Sequence, residues 1–234
     1  MSCFSESLLE SGFLLQGSIE FEDLDDQTIA PINDAGFSFG PGERLVFFGQ
    51  AGPTLWEESV RKELHHDHPF DAVSVERTSA WMAAAFPDER FDVVYPTTDA
   101  LIPLGQLTSQ LGWGESSPLG ISIHPTFGLW IAHRVAAITS ADLYHEPADH
   151  ESPCETCATN DCVSACPVGA VSSTAAFDLT ACAPYRASEQ SECAYQCLSR
   201  NACPVGAENR YGDKQMRHHY GSGLASIRQW VAAQ

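Results

Sequence analysis

Cys154-Glu-Thr-Cys157-Ala-Thr-Asn-Asp-Cys162-Val-Ser-Ala-Cys166-Pro167-Val-Gly-Ala170 is the stretch on which the reading of this 234-residue chain turns. Its four cysteines stand at gaps of two, four and three residues, and a proline follows the last. Cys182, Cys193, Cys197 and Cys203 come next, and Cys203 again precedes a proline, Pro204. Ala165-Cys-Pro-Val-Gly-Ala170 recurs as Ala202-Cys-Pro-Val-Gly-Ala207, so the plan is duplicated. Short loops with such gaps bring three thiolates to one centre. The proline fixes φ and keeps the chain from re-entering its own loop, which turns the fourth cysteine elsewhere.

Thiolates spaced in this way ligate iron–sulfur cubanes, and in two-cluster ferredoxins the cysteine before proline serves the other cluster. That rule gives one set of Cys154, Cys157, Cys162 and Cys203, and a second of Cys182, Cys193, Cys197 and Cys166. The expectation is therefore two 4Fe–4S clusters and electron transfer. The ordinary second gap is two residues; here Thr159-Asn160 lengthens it to four, an insertion that a bulged loop absorbs. Zinc is one alternative, since it also takes Cys-x2-Cys pairs, although it does not call for two Cys-Pro-Val-Gly-Ala repeats with exchanged ligands. A single cluster with a vestigial second half is another. Disulfides fit small secreted frameworks, and no secretory leader precedes this long chain. Cys3, alone near the start, reads as a free thiol.

Outward from the cysteines the chain reads as layers. Residues 1–42 suggest a short helix from Ser7 to Gln16 and then an irregular acidic segment. Leu45-Val-Phe-Phe-Gly49 is a buried strand, Asp71 to Phe86 a helix, Phe91 to Tyr95 a strand and Leu101 to Leu111 a helix. Gly120 to Ile138 reads as two strands joined by a Pro-Thr-Phe-Gly turn. These elements predict an α+β domain over 43–145, a cluster domain over 150–212 and a closing helix over 213–234.

The net charge is −19, of which residues 1–150 hold −17. So acidic a surface repels phosphate backbones, which excludes nucleic acid as a partner and favours a basic redox protein. No apolar run is long enough for a membrane span. The acidic, leaderless N-terminus points to the cytoplasm.

Leu119-Gly-Ile-Ser-Ile-His-Pro-Thr-Phe-Gly-Leu-Trp130, directly before the cysteines, resembles the strand–turn–strand of epoxyqueuosine reductases. Those proteins, like respiratory reductive dehalogenases, place a nitroreductase-like corrinoid domain before a two-cluster ferredoxin domain. The same stretch is similar to the His-Pro-x-Phe-Gly-Gly-Trp run of the cobalamin-processing CblC family, except that Leu129 replaces the second glycine. The whole chain also looks like short bacterial ferredoxin-like proteins with Gly-x-Ala-Gly-Pro-x-Leu-Trp (Gly49 to Trp56) and Cys-Pro-Val-Gly ends. The resemblance implies a nitroreductase-like α/β layer followed by a two-cluster bacterial-ferredoxin-like domain. It also implies an oxidoreductase that passes electrons to cobalamin or flavin mononucleotide. His124, at the turn, and Arg134, in an apolar strand, are then the candidate cofactor contacts. Their plainer readings are a turn histidine bonded to backbone and an arginine paired with a nearby acid. A carrier that docks on a larger enzyme and a redox-sensing cluster protein without turnover are the alternative functions.

Overall fold

Leu45-Val-Phe-Phe48 is apolar without alternation, which is how a strand reads when both of its faces are covered. The computed structural model, which describes residues 4–58, 60–62, 68–96 and 101–234, places this run at the centre of a sheet. In chain order the elements begin with α1 (Glu6–Glu10), β1 (Leu15–Glu20), α2 (Asp26–Asp34), β2 (Arg44–Ala51), α3 (Thr54–Glu58) and α4 (Pro69–Ala85). Next come β3 (Phe91–Tyr95), α5 (Leu104–Gln110), β4 (Glu115–Ser116), β5 (Ser122–Ile123) and β6 (Ile131–Thr139). The chain ends in α6 (Asp161–Ser164), α7 (Leu179–Ala187), α8 (Leu198–Ala202) and α9 (Asp213–Ala232). Two units form: Met1–Trp113 with Ile131–His150, and Gly114–Trp130 with Glu151–Gln234.

The first unit is a four-stranded antiparallel sheet in the order β1-β2-β6-β3, with helices packed on it. Every residue of β2 is buried. Val46 and Phe48 share one core with Leu55, Trp56, Val73 and Met82, while Phe47, one residue out of phase, meets Trp113 on the other face. Burying each of these phenylalanines contributes roughly 1.5–3 kcal/mol. The expected strands, the two middle helices and the terminal helix are all present, with ends moved by a few residues. The fold class is mixed α+β around a small antiparallel sheet.

Two expectations need correction. The helix predicted over Ser7–Gln16 stops at Glu10, and Leu15–Glu20 is an edge strand. Gly12 takes φ +99°, with its α-carbon hydrogen against the Leu55 backbone, and Gln16 turns inward to bond Ser5 and Phe13 carbonyls. The following acidic stretch is not irregular either, because α2 is capped by Asp25, whose carboxylate accepts from the Thr28 N–H at 2.9 Å. Second, Gly120–Ile138 has the predicted turn, closed by paired His124 and Gly128 bonds of 2.9 Å, but its arms do not form a hairpin. β5 pairs with β4, whereas β6 lies between β2 and β3. An apolar run announces a strand without naming its partner, and in the large sheet the second half of β6, from Val135 to Thr139, is fully buried.

His133 of β6 sits in the first unit with its ring stacked on Trp113 at 5.0 Å and edge-on to Phe47 at 5.7 Å. Thr108 Oγ1 meets its Nε2 at 2.8 Å. Burial, reinforced by the neighbouring Arg134, lowers its pKa to about 4. Unfolded, a histidine takes its proton near pH 6.5. As pH falls from 7 towards 4, the unfolded chain binds a proton that the folded one refuses. His133 thus contributes stability that is complete above pH 6.5 and is lost as pH drops through this window, by up to about 3 kcal/mol. Denaturant unfolding of wild type and His133→Gln at several pH values should show the variant with the flatter dependence. Equal dependences would refute this assignment.

In the second unit α6 and α8 each run into a Cys-Pro step, so the two sequence repeats adopt matching local structure. α7 is capped by Asp178, whose carboxylate accepts from Ala181 N–H at 3.0 Å. α9 lies on α7, tied by Arg186 Nη2 donating to the Tyr220 carbonyl at 2.7 Å. Leu119, Ile123, Leu129, Val171 and Cys203 form one core, and Trp130, Tyr211 and Met216 another. The turn after His124 is clamped on the second repeat. A β-carbon on Gly128 would stand 2.0 Å from the Val205 carbonyl oxygen, and one on Gly206 2.3 Å from the Phe127 carbonyl carbon. Both glycines also hold left-handed φ, +59° and +62°. No described helix is long and apolar enough to cross a membrane.

Candidate metal centre

The eight cysteines from Cys154 to Cys203 all fall in the second unit, none in a disulfide, and several pack among its apolar side chains. Burial pushes the Cys154 thiol up, and the charges of Cys203, Cys162 and Cys157 push it further. Burial also raises Cys182, helped by Cys197, Cys166 and Cys193. The thiols that sense one another are therefore Cys154, Cys157, Cys162 and Cys203 on one side and Cys166, Cys182, Cys193 and Cys197 on the other. Cys166 stands with the second run and Cys203 with the first. The four thiols of the second set line one cavity of about 240 Å3.

Backbone donors are aimed at the sulfurs. Ala170 N–H donates to Cys166 Sγ at 3.2 Å and Arg200 N–H to Cys197 Sγ at 3.5 Å. For Cys166, burial raises the pKa, but N–H groups of Val168, Ala170 and Val171 and the Ser199 hydroxyl outweigh it and leave the thiol below its usual value. Cys157 is lowered too, chiefly by the N–H groups of Asn160 and Thr159. That pair is the insertion that lengthens the second gap. Asn160, at φ +49°, caps α6 and turns the loop back on Cys157. Among the described residues, no group of three or more His, Cys, Asp or Glu side chains is arranged to hold a single metal ion. A cubane holds its thiolates apart around an iron–sulfide core, more widely than the ~2.3 Å zinc–sulfur bonds of a mononuclear site do.

Two residues that the spacing argument passed over belong to this centre. Arg186 and Arg200 line the same cavity, and the Nε of each is buried without a partner. Their signal in the sequence is faint: two cations close to Cys182 and Cys197 in a strongly acidic chain. His124 and Arg134 lie in different units. His124 is buried, and its Nδ1 accepts N–H bonds from Thr126 at 2.9 Å and Phe127 at 3.2 Å, which leaves its proton on Nε2. Arg134 donates from Nε to Gln50 Oε1 at 3.0 Å and lies 4.2 Å over the Phe70 ring. Cys3 falls outside the described residues.

The sequence matches no family model and no curated protein. Solved structures do match, and one of selenomethionine-labelled epoxyqueuosine reductase aligns with TM-score 0.56 at 16% identity, over 88% of this chain and 65% of its own. In fold, this chain is similar to epoxyqueuosine reductases. An epoxyqueuosine reductase bound to an epoxyqueuosine-modified tRNA-Tyr stem loop gives 0.55 at 16% identity, over 91% of this chain and 66% of its own. The Bacillus subtilis epoxyqueuosine reductase gives 0.52 at 14% identity, over 89% and 65%. The chain thus spans just under two thirds of the epoxyqueuosine reductase chains it matches. A B12-trafficking CblC protein of C. elegans reaches only 0.46 at 13% identity, over 94% of this chain and 90% of its own, and carries no weight here.

Proposed function

We propose that this chain is an iron–sulfur electron-transfer protein that carries two 4Fe–4S clusters in a two-cluster ferredoxin-like unit. Cys154, Cys157, Cys162 and Cys203 would hold one cluster, and Cys166, Cys182, Cys193 and Cys197 the other. The observation that carries the reading is the cavity lined by Cys166 together with Cys182, Cys193 and Cys197, which places the Cys-Pro member of the first run among the thiols of the second. Deprotonated thiols that share one site repel one another, and an iron core would supply the positive charge that relieves them. The orphaned Arg186 and Arg200 Nε donors suit an anionic core in the cavity, whose sulfurs accept hydrogen bonds. The cavity of about 240 Å3 that the four thiols of the second set help to line has room for a polynuclear core.

Bound clusters accept and release single electrons at potentials set by burial and by hydrogen bonds to sulfur. The chain contributes the apolar packing and the N–H groups of Asn160, Ala170 and Arg200. The partner is a basic redox protein, given the net charge of −19, and nucleic acid is disfavoured for the same reason. A corrinoid or flavin in the first unit draws its support from the resemblance and from likeness of fold. His124 and Arg134 are each engaged with neighbours of their own unit. Protein prepared without oxygen should hold about eight iron and eight sulfide per chain. Four of each at full occupancy would reduce the reading to one cluster, and stoichiometric zinc without iron would overturn it.

A further inference from the structure

The two thiol sets differ in the charge around them. Arg186 and Arg200 are half-buried and line the cavity with Cys166, Cys182, Cys193 and Cys197. Arg200 lies 4.4 Å over the Trp130 ring and 5.0 Å over that of Tyr211, and its Nη2 donates to the Leu129 carbonyl at 2.6 Å. Arg186 lies 4.9 Å over the Tyr220 ring, with Nη2 on the Tyr220 carbonyl. Neither forms an ion pair with a carboxylate of the described residues. The aromatic faces and carbonyls hold the guanidinium groups without neutralising them. The acid on this side is Glu192, beside Cys193 and exposed, while around the other set stand Asp161 and Arg210, opposite in sign and both exposed; exposed charges are screened by water more than the two half-buried guanidinium groups are.

We propose that Arg186 and Arg200 fix the direction of electron flow by raising the potential of the cluster on Cys166, Cys182, Cys193 and Cys197 above that of its neighbour. The proposal rests on the two-cluster reading and adds an order to it. An added electron is stabilised by nearby positive charge, more so where water is excluded. With both clusters bound, an electron from a one-electron donor protein would enter at the Cys154 set, pass to the Cys166 set and leave to the acceptor, each centre returning to its starting state with no bond made or broken and no proton required. Because guanidinium stays charged throughout the working range, the order should not depend on pH.

The test is a redox titration of the cluster-loaded full chain, followed by electron paramagnetic resonance, for wild type, Arg186→Gln, Arg200→Gln, Arg200→Lys and Arg210→Gln. The expected result is two cluster signals. The higher-potential one should drop in Arg186→Gln and Arg200→Gln by about tenfold in its reduced-to-oxidised ratio, or 59 mV for one electron. Arg200→Lys should fall between wild type and Arg200→Gln. Arg210→Gln should move its own cluster's signal less. Unmoved midpoints in the Arg186 and Arg200 variants, with eight iron retained, would overturn the proposal, and so would an equal shift in Arg210→Gln. If Arg200→Gln cannot retain its cluster, Arg186→Gln and Arg200→Lys decide by the same criterion. Wild type with one cluster or none would instead defeat the two-cluster reading itself.

Discussion

Serine in place of Cys166 is expected to disturb the same cluster as serine in place of Cys193, and Cys203→Ser the same cluster as Cys154→Ser. By position in the chain, Cys166 belongs with Cys154, Cys157 and Cys162, and a loop that kept its own four cysteines would group it there. Cys166 instead lines one cavity with Cys182, Cys193 and Cys197, and the charge of Cys203 acts on Cys154. A weaker or missing ligand should remove or broaden one resonance signal and leave the other in place. The measurement is the low-temperature resonance spectrum of each reduced variant, with iron content alongside. A Cys166→Ser spectrum that matches Cys154→Ser and differs from Cys193→Ser would show that the ligands are not exchanged.

The second large effect is expected at a glycine. Gly169 and Gly206 occupy the same place in the two Cys-Pro-Val-Gly-Ala repeats and share a left-handed φ, +66° and +62°. Their surroundings differ. A β-carbon on Gly169 would meet nothing within 4 Å, whereas one on Gly206 would strike the Phe127 carbonyl carbon at 2.3 Å. Gly169→Ala should cost only the backbone strain, about 1–2 kcal/mol. Gly206→Ala adds a collision with main chain that no rotamer relieves, and about 4 kcal/mol or more is expected. Chemical denaturation of both variants, read by a signal from the second unit, measures the contrast. Similar losses would mean that the turn after His124 is not clamped on the second repeat.

What the sequence disclosed followed from how local each signal is. The strand at Leu45–Phe48 and the closing helix were legible because their patterns lie within a few consecutive residues. The exchanged thiol sets are an expectation drawn from the prolines after Cys166 and Cys203, which constrain the chain at those very residues. Three things were not legible. The edge strand Leu15–Glu20 was hidden behind helix-forming residues, and Gly12 and the inward Gln16 decide it through contacts distant in sequence. The pairing of Ile131–Thr139 with Arg44–Ala51 is a choice of partner, which no single run encodes. Arg186 and Arg200 look like ordinary surface cations until the cavity between them and four cysteines is built.

The second unit is assembled from two lengths of chain that are not consecutive, Gly114–Trp130 and Glu151–Gln234, with a strand of the other unit's sheet between them. Leu119, Ile123 and Leu129, which line the cysteine core, come from the earlier length. A fragment cut at Glu151 would carry every one of the eight thiols and still lack the floor they rest on. Dissection by truncation, the usual way to isolate a redox module, would therefore report instability that the intact molecule does not have.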